Sequence, residues 1–132
     1  DGEIFDRLAQ ALYRTGDHEA LMELLNQRVV DRGAFEDYER VAKYAMKMGD
    51  PDTAEEALLA GARVEGGRRV EPQLALARFY RRVGDEKAEL RRLRMAYGID
   101  PENEAVVERL RALGEVPGPT LSLTPPEAEG SK

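Results

Sequence analysis

The sequence contains no cysteine and no tryptophan, and its single histidine is His18. Without cysteine the chain can form neither disulfides nor thiolate metal sites, and cysteine nucleophiles are excluded. The first serine is Ser122, so the residues before it cannot supply a serine triad. A lone histidine lacks the clustered ligands that a zinc site needs. We therefore expect a protein that is not an enzyme and that has no metal or other cofactor.

Long apolar runs are missing as well. No stretch approaches 18 consecutive apolar residues, so we expect no membrane insertion. No signal peptide is recognisable, and the lack of cysteine is compatible with the cytoplasm and with the periplasm. The chain starts at Asp1 instead of a methionine, so we expect a processing or cloning boundary there.

Charged residues are abundant, at 35% of the chain beside 42% hydrophobic residues. This balance is typical of a folded protein with much solvated helix surface. The net charge of −6 is uneven, with −7 in residues 1–62, +5 in residues 63–94 and −4 in residues 95–132. The basic block between two acidic ones is more informative than the total.

Three Gly-Asp pairs divide the chain at intervals of 33 and 35 residues: Gly16-Asp17, Gly49-Asp50 and Gly84-Asp85. Apolar residues at spacings of three and four precede and follow each pair, which indicates amphipathic helices. Glycine can end a helix in the left-handed conformation, and the aspartate can accept hydrogen bonds from the N–H groups that open the next helix. Each pair therefore predicts a tight helix–turn–helix connection.

The resulting prediction is an all-α protein. Asp50-Pro51 gives the clearest helix start, and Asp100-Pro101 repeats the device before a last helix. Seven helices are predicted, at about 2–15, 17–32, 34–48, 51–64, 70–83, 85–98 and 102–113.

The period and the helix–turn–helix unit resemble the tetratricopeptide repeat. The second unit matches best, with Tyr38 at the position of the family's large aromatic residue, Gly49 at its turn and Ala54 at its small second-helix residue. The other units depart from the pattern at four positions: Leu21 and Arg28 replace small residues in the first, and Gln73 and Glu89 replace the aromatic and small residues in the third.

The resemblance implies a right-handed α-solenoid over residues 1–114. Its units are about 2–33, 34–67 and 70–101, followed by a capping helix at 102–113 whose Val106, Val107 and Leu110 pack on the third unit. Residues 115–132 are a Pro-rich tail. The family's role implies a protein-interaction module, a scaffold or adaptor of a multiprotein complex, of the kind found in bacterial envelope machines.

In the family, the first helices of successive units line a concave groove that binds the partner. By resemblance, the groove residues here are Gln10, Tyr13, Arg14, Arg40, Lys43, Met46, Lys47, Leu74, Arg78, Arg81 and Arg82, and the acidic Glu3, Asp6 and Glu39 fall on the same face.

Helical spacing supports a basic groove independently. Lys43 and Lys47 are four residues apart, as are Arg78 and Arg82, so each pair shares a helix face. Arginine also binds carboxylates in a bidentate fork. We hypothesise an acidic or C-terminal-carboxylate peptide as the ligand. The alternative is that these cations are solvated or paired with Glu36, Glu39 and Glu71.

A second function class rests on Arg91, Arg92 and Arg94, which we expect on the convex side of the third unit. They suit a nucleic-acid-binding helical repeat, although the acidic segments on both sides oppose this interpretation.

The tail contains four prolines, so no helix is predicted in it. Leu121 and Leu123 alternate with polar residues and suit an extended segment on a helical surface, and Glu127 and Glu129 suit a basic groove. We predict that the tail contacts helices of its own chain or of a neighbour. Self-association through the tail or by head-to-tail stacking is left open.

Overall fold

The computed structural model describes residues 2–129, apart from the side chain of Glu129, and this part of the chain is all-α. The seven predicted helices are present as α1 (Gly2–Arg14), α2 (His18–Asp31), α3 (Phe35–Lys47), α4 (Pro51–Glu65), α5 (Val70–Val83), α6 (Glu86–Ile99) and α7 (Glu104–Ala112). The tail adds a 3-10 turn (Pro119–Leu121) and a single helical turn, α8 (Pro126–Glu129).

The three Gly-Asp turns form as predicted and share one hydrogen-bond pattern. Each glycine is left-handed, with φ of 81° at Gly16, 75° at Gly49 and 83° at Gly84. The aspartate N–H donates to the carbonyl five residues back in every turn, over 2.9 to 3.1 Å. Its carboxylate accepts the amide three residues ahead, which belongs to Ala20, Thr53 or Ala88. The pair thus satisfies backbone groups of both flanking helices.

The prediction that Asp100-Pro101 opens the last helix is wrong. Asp100 ends α6, where its N–H donates to the Ala96 carbonyl and its side chain accepts the Glu102 amide. Asn103 instead caps α7, because its side-chain oxygen accepts the Val106 amide at 3.1 Å. Asn103 lies nearer the apolar residues of α7 and is an equally good N-cap, so the helix begins after it.

Consecutive helices pack against each other, and the pairs α3–α4 and α5–α6 make the most extensive contacts. Gly61 of α4 permits the close approach to α3. A Cβ there would lie 2.9 Å from Phe35 Cδ1 and 2.9 Å from Tyr38 Cβ, closer than carbon atoms can pack. A larger residue at this position would push the two helices apart.

Two apolar clusters form the core. The larger one joins α1 to α5 and includes Leu21, Leu25 and Leu76. The second contains Ala77, Leu93, Ala96, Val106, Leu110 and Leu121. Val106 and Leu110 are fully buried there, whereas Val107 is half-buried. The last helix and the tail therefore cover apolar surface of α5 and α6, and each buried leucine contributes about 1.5–3 kcal/mol to stability.

A buried carboxylate connects α4 to α5. The Glu65 side chain accepts the amides of Arg68 at 2.9 Å and Arg69 at 3.0 Å. Arg69 occupies the N-cap position of α5 and makes no side-chain capping bond. Glu65 instead bonds the two backbone N–H groups that immediately precede this helix. Further along, the Tyr80 hydroxyl donates to Glu55 of α4 at 2.7 Å. Burial and this bond raise the pKa of Tyr80 to about 12.

Candidate peptide-binding face

Three depressions follow one another along the surface formed by α1, α3, α5 and α7, which we call the odd-helix face. The first lies between α1 and α3 (about 510 Å³), the second between α3 and α5 (about 210 Å³) and the third between α5 and α7 (about 340 Å³). Lys43 lines the first and second, and Arg78 lines the second and third. The predicted groove residues that line them are Gln10, Arg40, Lys43, Met46, Leu74, Arg78, Arg81 and Arg82.

The second depression combines an apolar floor with a basic rim. The floor consists of Ala42, Met46, Leu58, Ala75 and Phe79. The rim carries the exposed cations Lys43, Arg78 and Arg82 and one carboxylate, Glu39. A ligand here would meet apolar surface in the centre and positive charge at the edges.

Most cations of the odd-helix face form no ion pair with the described part of the chain. Considering residues 2–129, no carboxylate oxygen lies within 4.0 Å of the charged nitrogens of Arg14, Lys43, Lys47, Arg78, Arg81 or Arg82. Two of the acids considered as partners, Glu36 and Glu71, instead pair with Arg69 at 3.3 Å and 3.9 Å. The charge of the face is therefore available to a ligand.

Glu39 is the acidic member of this rim. Burial and the neighbouring Glu36 raise the pKa of its carboxyl group, against the opposing effects of Arg78 and Arg40. The raised pKa indicates that the carboxylate here is poorly stabilised. An acidic ligand would experience Glu39 as a local repulsion between favourable cations.

Arg40 differs from the other face cations because its charge is already engaged. Its Nε donates to Asp6 of α1 at 2.8 Å and its Nη1 to the buried Asp37 at 3.1 Å. The guanidinium groups of Arg40 and Arg28 also lie over the Phe5 ring, at 5.4 Å and 4.3 Å from its centroid. Arg40 thus lines the first depression but links α1 to α3, so six of the seven cations among the predicted groove residues have no ion pair within residues 2–129.

Tyr13 and Lys47 meet at the end of α1 and α3. The Tyr13 hydroxyl donates to the Lys47 carbonyl at 3.3 Å, and the Lys47 ammonium lies 5.3 Å from the Tyr13 ring centroid. Tyr13 also stacks on the exposed His18, with 5.7 Å between ring centroids, and contacts Tyr44. Arg14 is exposed at the last residue of α1.

The tail contacts α4 and α6, whose surface around these contacts, together with Gln73 of α5, we call the even-helix surface. Leu121 is buried, Arg94 Nε donates to its carbonyl at 2.9 Å, and the Leu123 N–H donates to the Arg94 carbonyl at 3.2 Å. The prediction that the tail contacts its own helices is confirmed. The expectation that prolines preclude helical turns in it is wrong, because proline is tolerated in the first turn of a helix.

Glu127 anchors the tail in a buried polar network. Arg92 Nη1 and Nη2 donate to its two carboxylate oxygens at 2.7 Å and 3.2 Å, and Gln73 Nε2 donates to Oε1 at 3.2 Å. Arg92 Nη1 also donates to Gln73 Oε1 at 2.8 Å. Burial alone would raise the pKa of Glu127, but the bonds from Arg92 and Gln73 and the Arg92 charge outweigh it, so the pKa is lowered. The basic partner of Glu127 is thus Arg92 and not the predicted groove; the side chain of Glu129 lies outside the described residues.

The arginines proposed for nucleic-acid binding are mostly engaged by the tail. Arg92 is buried against Glu127 and Arg94 is bonded to Leu121, while Arg91 is exposed. The expected convex patch of three arginines is therefore reduced to one exposed side chain, because the tail covers the other two.

Sequence reasoning missed two groups of residues: Leu58 and Phe79 in the floor of the candidate face, and the network that joins Gln73, Arg92 and Glu127. A signal for the network was present. Gln73 and Glu89 depart from the repeat pattern, and both are buried polar residues with charged partners, since Arg109 donates to Glu89 at 2.6 Å and 3.1 Å. A polar residue where a repeat expects an apolar one thus indicates a buried polar contact.

Two further searches cover the part of the chain that the structure describes. Among residues 2–129, no helix has the length and apolar character needed to span a membrane. Within the same range, no three or more His, Asp or Glu side chains group in a way that could hold a metal ion.

The sequence of the chain matches no protein-family model and no curated protein.

Proposed function

We propose that this chain is a tetratricopeptide-like α-solenoid of three units and a capping helix, and that its odd-helix face binds an acidic segment of a partner protein. The recurrence of one turn geometry at three Gly-Asp pairs supports the repeat. The pairwise packing of consecutive helices supports the same architecture. The repeat leaves one helix of each pair on a shared face, where the three depressions form a continuous surface.

The observation that carries the proposal is the contrast between apolar floor and unpaired rim in the second depression. Lys43, Arg78 and Arg82 surround the floor, and within residues 2–129 no carboxylate oxygen lies within 4.0 Å of their charged nitrogens. Like charges at neighbouring helix positions cost on the order of tenths of a kcal/mol per exposed pair. An acidic ligand relieves this repulsion and gains charge-assisted hydrogen bonds.

The chemistry of the depression also defines the ligand. An apolar side chain of the partner would cover Met46 and Phe79, and carboxylates on either side of it would meet Arg78 and Arg82. Glu39 on the same rim disfavours a carboxylate directly opposite it, and thereby helps to fix the register of the segment. The proposed partner is therefore a peptide with an apolar residue flanked by acidic ones.

The test is charge reversal of Arg78 and Arg82 to glutamate. The probe is a fluorescein-labelled peptide in which glutamates flank a leucine, and its binding is measured by fluorescence anisotropy at low salt. We expect affinity to fall by about tenfold or more, because a hydrogen bond to a charged group contributes about 1.5–3 kcal/mol. Glu39→Gln removes one negative charge from the same rim, whereas the arginine reversals make the rim more negative. It is expected to strengthen binding, because it removes the carboxylate that repels the acidic probe.

A matched control is available on α6. Lys87 and Arg91 are exposed and four residues apart, so Lys87→Glu with Arg91→Glu makes the same change in net charge at the same spacing on the even-helix surface. Equal loss of affinity in both double variants would show a net-charge effect and would contradict the proposal. A labelled DNA duplex is measured in parallel, and binding of the duplex without binding of the peptide would favour the nucleic-acid alternative.

A further inference from the structure

Helix α5 has a depression on each of its sides, and the one between α5 and α7 also combines apolar surface with cations. The floor of this third depression consists of Leu74, Ala77 and Leu93. Arg78 lines both depressions, whereas Arg81 lines the third and Arg82 the second. The arginines of α5 thus serve two neighbouring depressions, and Arg81 belongs to the third alone.

The two arginines of α5 at the third depression are available to an anion. Both side chains are exposed, and within residues 2–129 no carboxylate oxygen lies within 4.0 Å of the charged nitrogens of Arg78 or Arg81. They are three residues apart and therefore neighbours on the helix surface, where like charges repel. A carboxylate between them would remove this repulsion and accept hydrogen bonds from both.

A third cation, Arg109 of α7, is held in place at the other wall of this depression. Its Nε and Nη2 donate to the buried Glu89 at 2.6 Å and 3.1 Å. Its Nη1 makes no hydrogen bond within residues 2–129, and the side chain is 26% exposed. A guanidinium that is already fixed loses less side-chain entropy when it binds a carboxylate. Glu89 therefore positions Arg109 for a ligand as well as joining α6 to α7.

We propose that the third depression binds a second acidic residue of the partner segment, so that the segment crosses α5. This inference rests on the proposed function, because the first acidic residues lie in the second depression. A helix with its side chains is about 10–12 Å wide, and three residues of extended chain span about 10 Å. The acidic residues on the two sides of α5 are therefore three positions apart, and an apolar residue next to the second one covers Leu74.

Peptides of two lengths test the proposal. The short probe is the amidated, labelled peptide in which glutamates flank a leucine, and the long probe adds Ala-Leu-Glu at its C-terminal end. A second long probe carries the mirror-order extension at the N-terminal end, so that both directions across α5 are covered. Fluorescence anisotropy at low salt is expected to show about tenfold tighter binding of one long probe than of the short one, because it gains a charge-assisted hydrogen bond.

A scrambled probe controls for the added charge. It has the composition of the long probe, but its extra glutamate directly follows the preceding one, too close to reach across α5. It is expected to bind like the short probe. Equal affinity of the scrambled and long probes would overturn the proposal, and so would equal affinity of the long and short probes.

Two single variants assign the gain to the third depression. Arg81→Gln and Glu108→Gln each neutralise one exposed charge that lines it. Arg81→Gln is expected to remove the advantage of the long probe and Glu108→Gln to increase it, while the short probe binds both variants as it binds the unaltered chain. Arg82→Gln, in the second depression, should weaken both probes.

The two probes also separate failure of this inference from failure of the proposed function. An equal loss of affinity for both probes in Arg81→Gln would overturn the inference and leave the second depression as the site. A long probe that binds in an Arg81-dependent manner beside a short probe that does not bind would contradict the second depression and support the third. Absence of binding by every probe would overturn both.

Discussion

Arginines on the two surfaces of this molecule have opposite environments. Arg78 and Arg82 on the odd-helix face are exposed and have no ion pair within residues 2–129, whereas Arg92 beneath the tail is buried and bound by both oxygens of Glu127. Both sets lie on regular helices of the basic block. The difference is that, among residues 2–129, the chain supplies an ion-pair partner to Arg92 but places no carboxylate oxygen within 4.0 Å of the charged nitrogens of Arg78 or Arg82. A paired, desolvated arginine contributes to the structure, while an unpaired, solvated one is available for binding.

The largest expected effect is on the free energy of unfolding, and it distinguishes the buried Arg92 from the exposed Arg91. Arg92→Ala leaves Glu127 buried without its cation, or releases the tail and exposes Leu121. We expect the free energy of unfolding to fall by about 3 kcal/mol, as when one partner of a buried ion pair is removed. Urea denaturation measures this loss.

Arg91→Ala is the matched control for that experiment, since Arg91 is exposed one residue earlier on the same helix. It should change the free energy of unfolding by no more than about 0.5 kcal/mol. Similar losses in the two variants would mean that the Glu127 pair does not distinguish the buried arginine from an exposed one.

A smaller effect follows from acid titration of the tail. Because the folded-state pKa of Glu127 is lowered, its contribution to docking is present above the unfolded value of about 4.3 and is lost as pH falls through the folded pKa. We expect the NMR signals of the Leu121 methyl groups to shift toward solvent-exposed values below about pH 4. In Glu127→Gln the same signals should show much less change over this pH window.

The smallest effect has the opposite sign and lies on the odd-helix face. Neutralising one of two like charges at neighbouring helix positions, as in Arg82→Gln, should raise the free energy of unfolding by a few tenths of a kcal/mol. Urea denaturation at low salt detects this gain, and about 1 M salt should remove it by screening. A loss of stability would instead indicate that Arg82 has a structural role like that of Arg92.

Local features of this fold could be predicted from the sequence. The helices and the three Gly-Asp turns depend on residues within five positions of one another, so periodicity and capping chemistry suffice to place them. Asp100 shows the limit of this reasoning, because two adequate caps, Asp100 and Asn103, stand three residues apart. In the structure the second one caps the helix.

The candidate face could be predicted only in part. Helical spacing placed Arg78 and Arg82 on one helix face, and the family resemblance placed Lys43 in the same groove. The pairing of Arg40 with Asp6 joins residues 34 apart and depends on how α1 meets α3. The network of Gln73, Arg92 and Glu127 could not be predicted either, because it also depends on tertiary packing. Its members are far apart in sequence, and only the unexpected polarity of Gln73 pointed to a buried partner.

The long reach of the Gln73–Glu127 bond has a consequence for the order of folding. Its residues are 54 apart, whereas the side-chain bonds between neighbouring helices, such as Tyr13–Lys47 and Arg92–Gln73, join residues 34 and 19 apart. Contacts that close longer loops require more chain entropy to be lost before they form. The helices are therefore expected to assemble first, with Arg92 still hydrated, and the tail to dock in a later kinetic step that removes water from the ion pair.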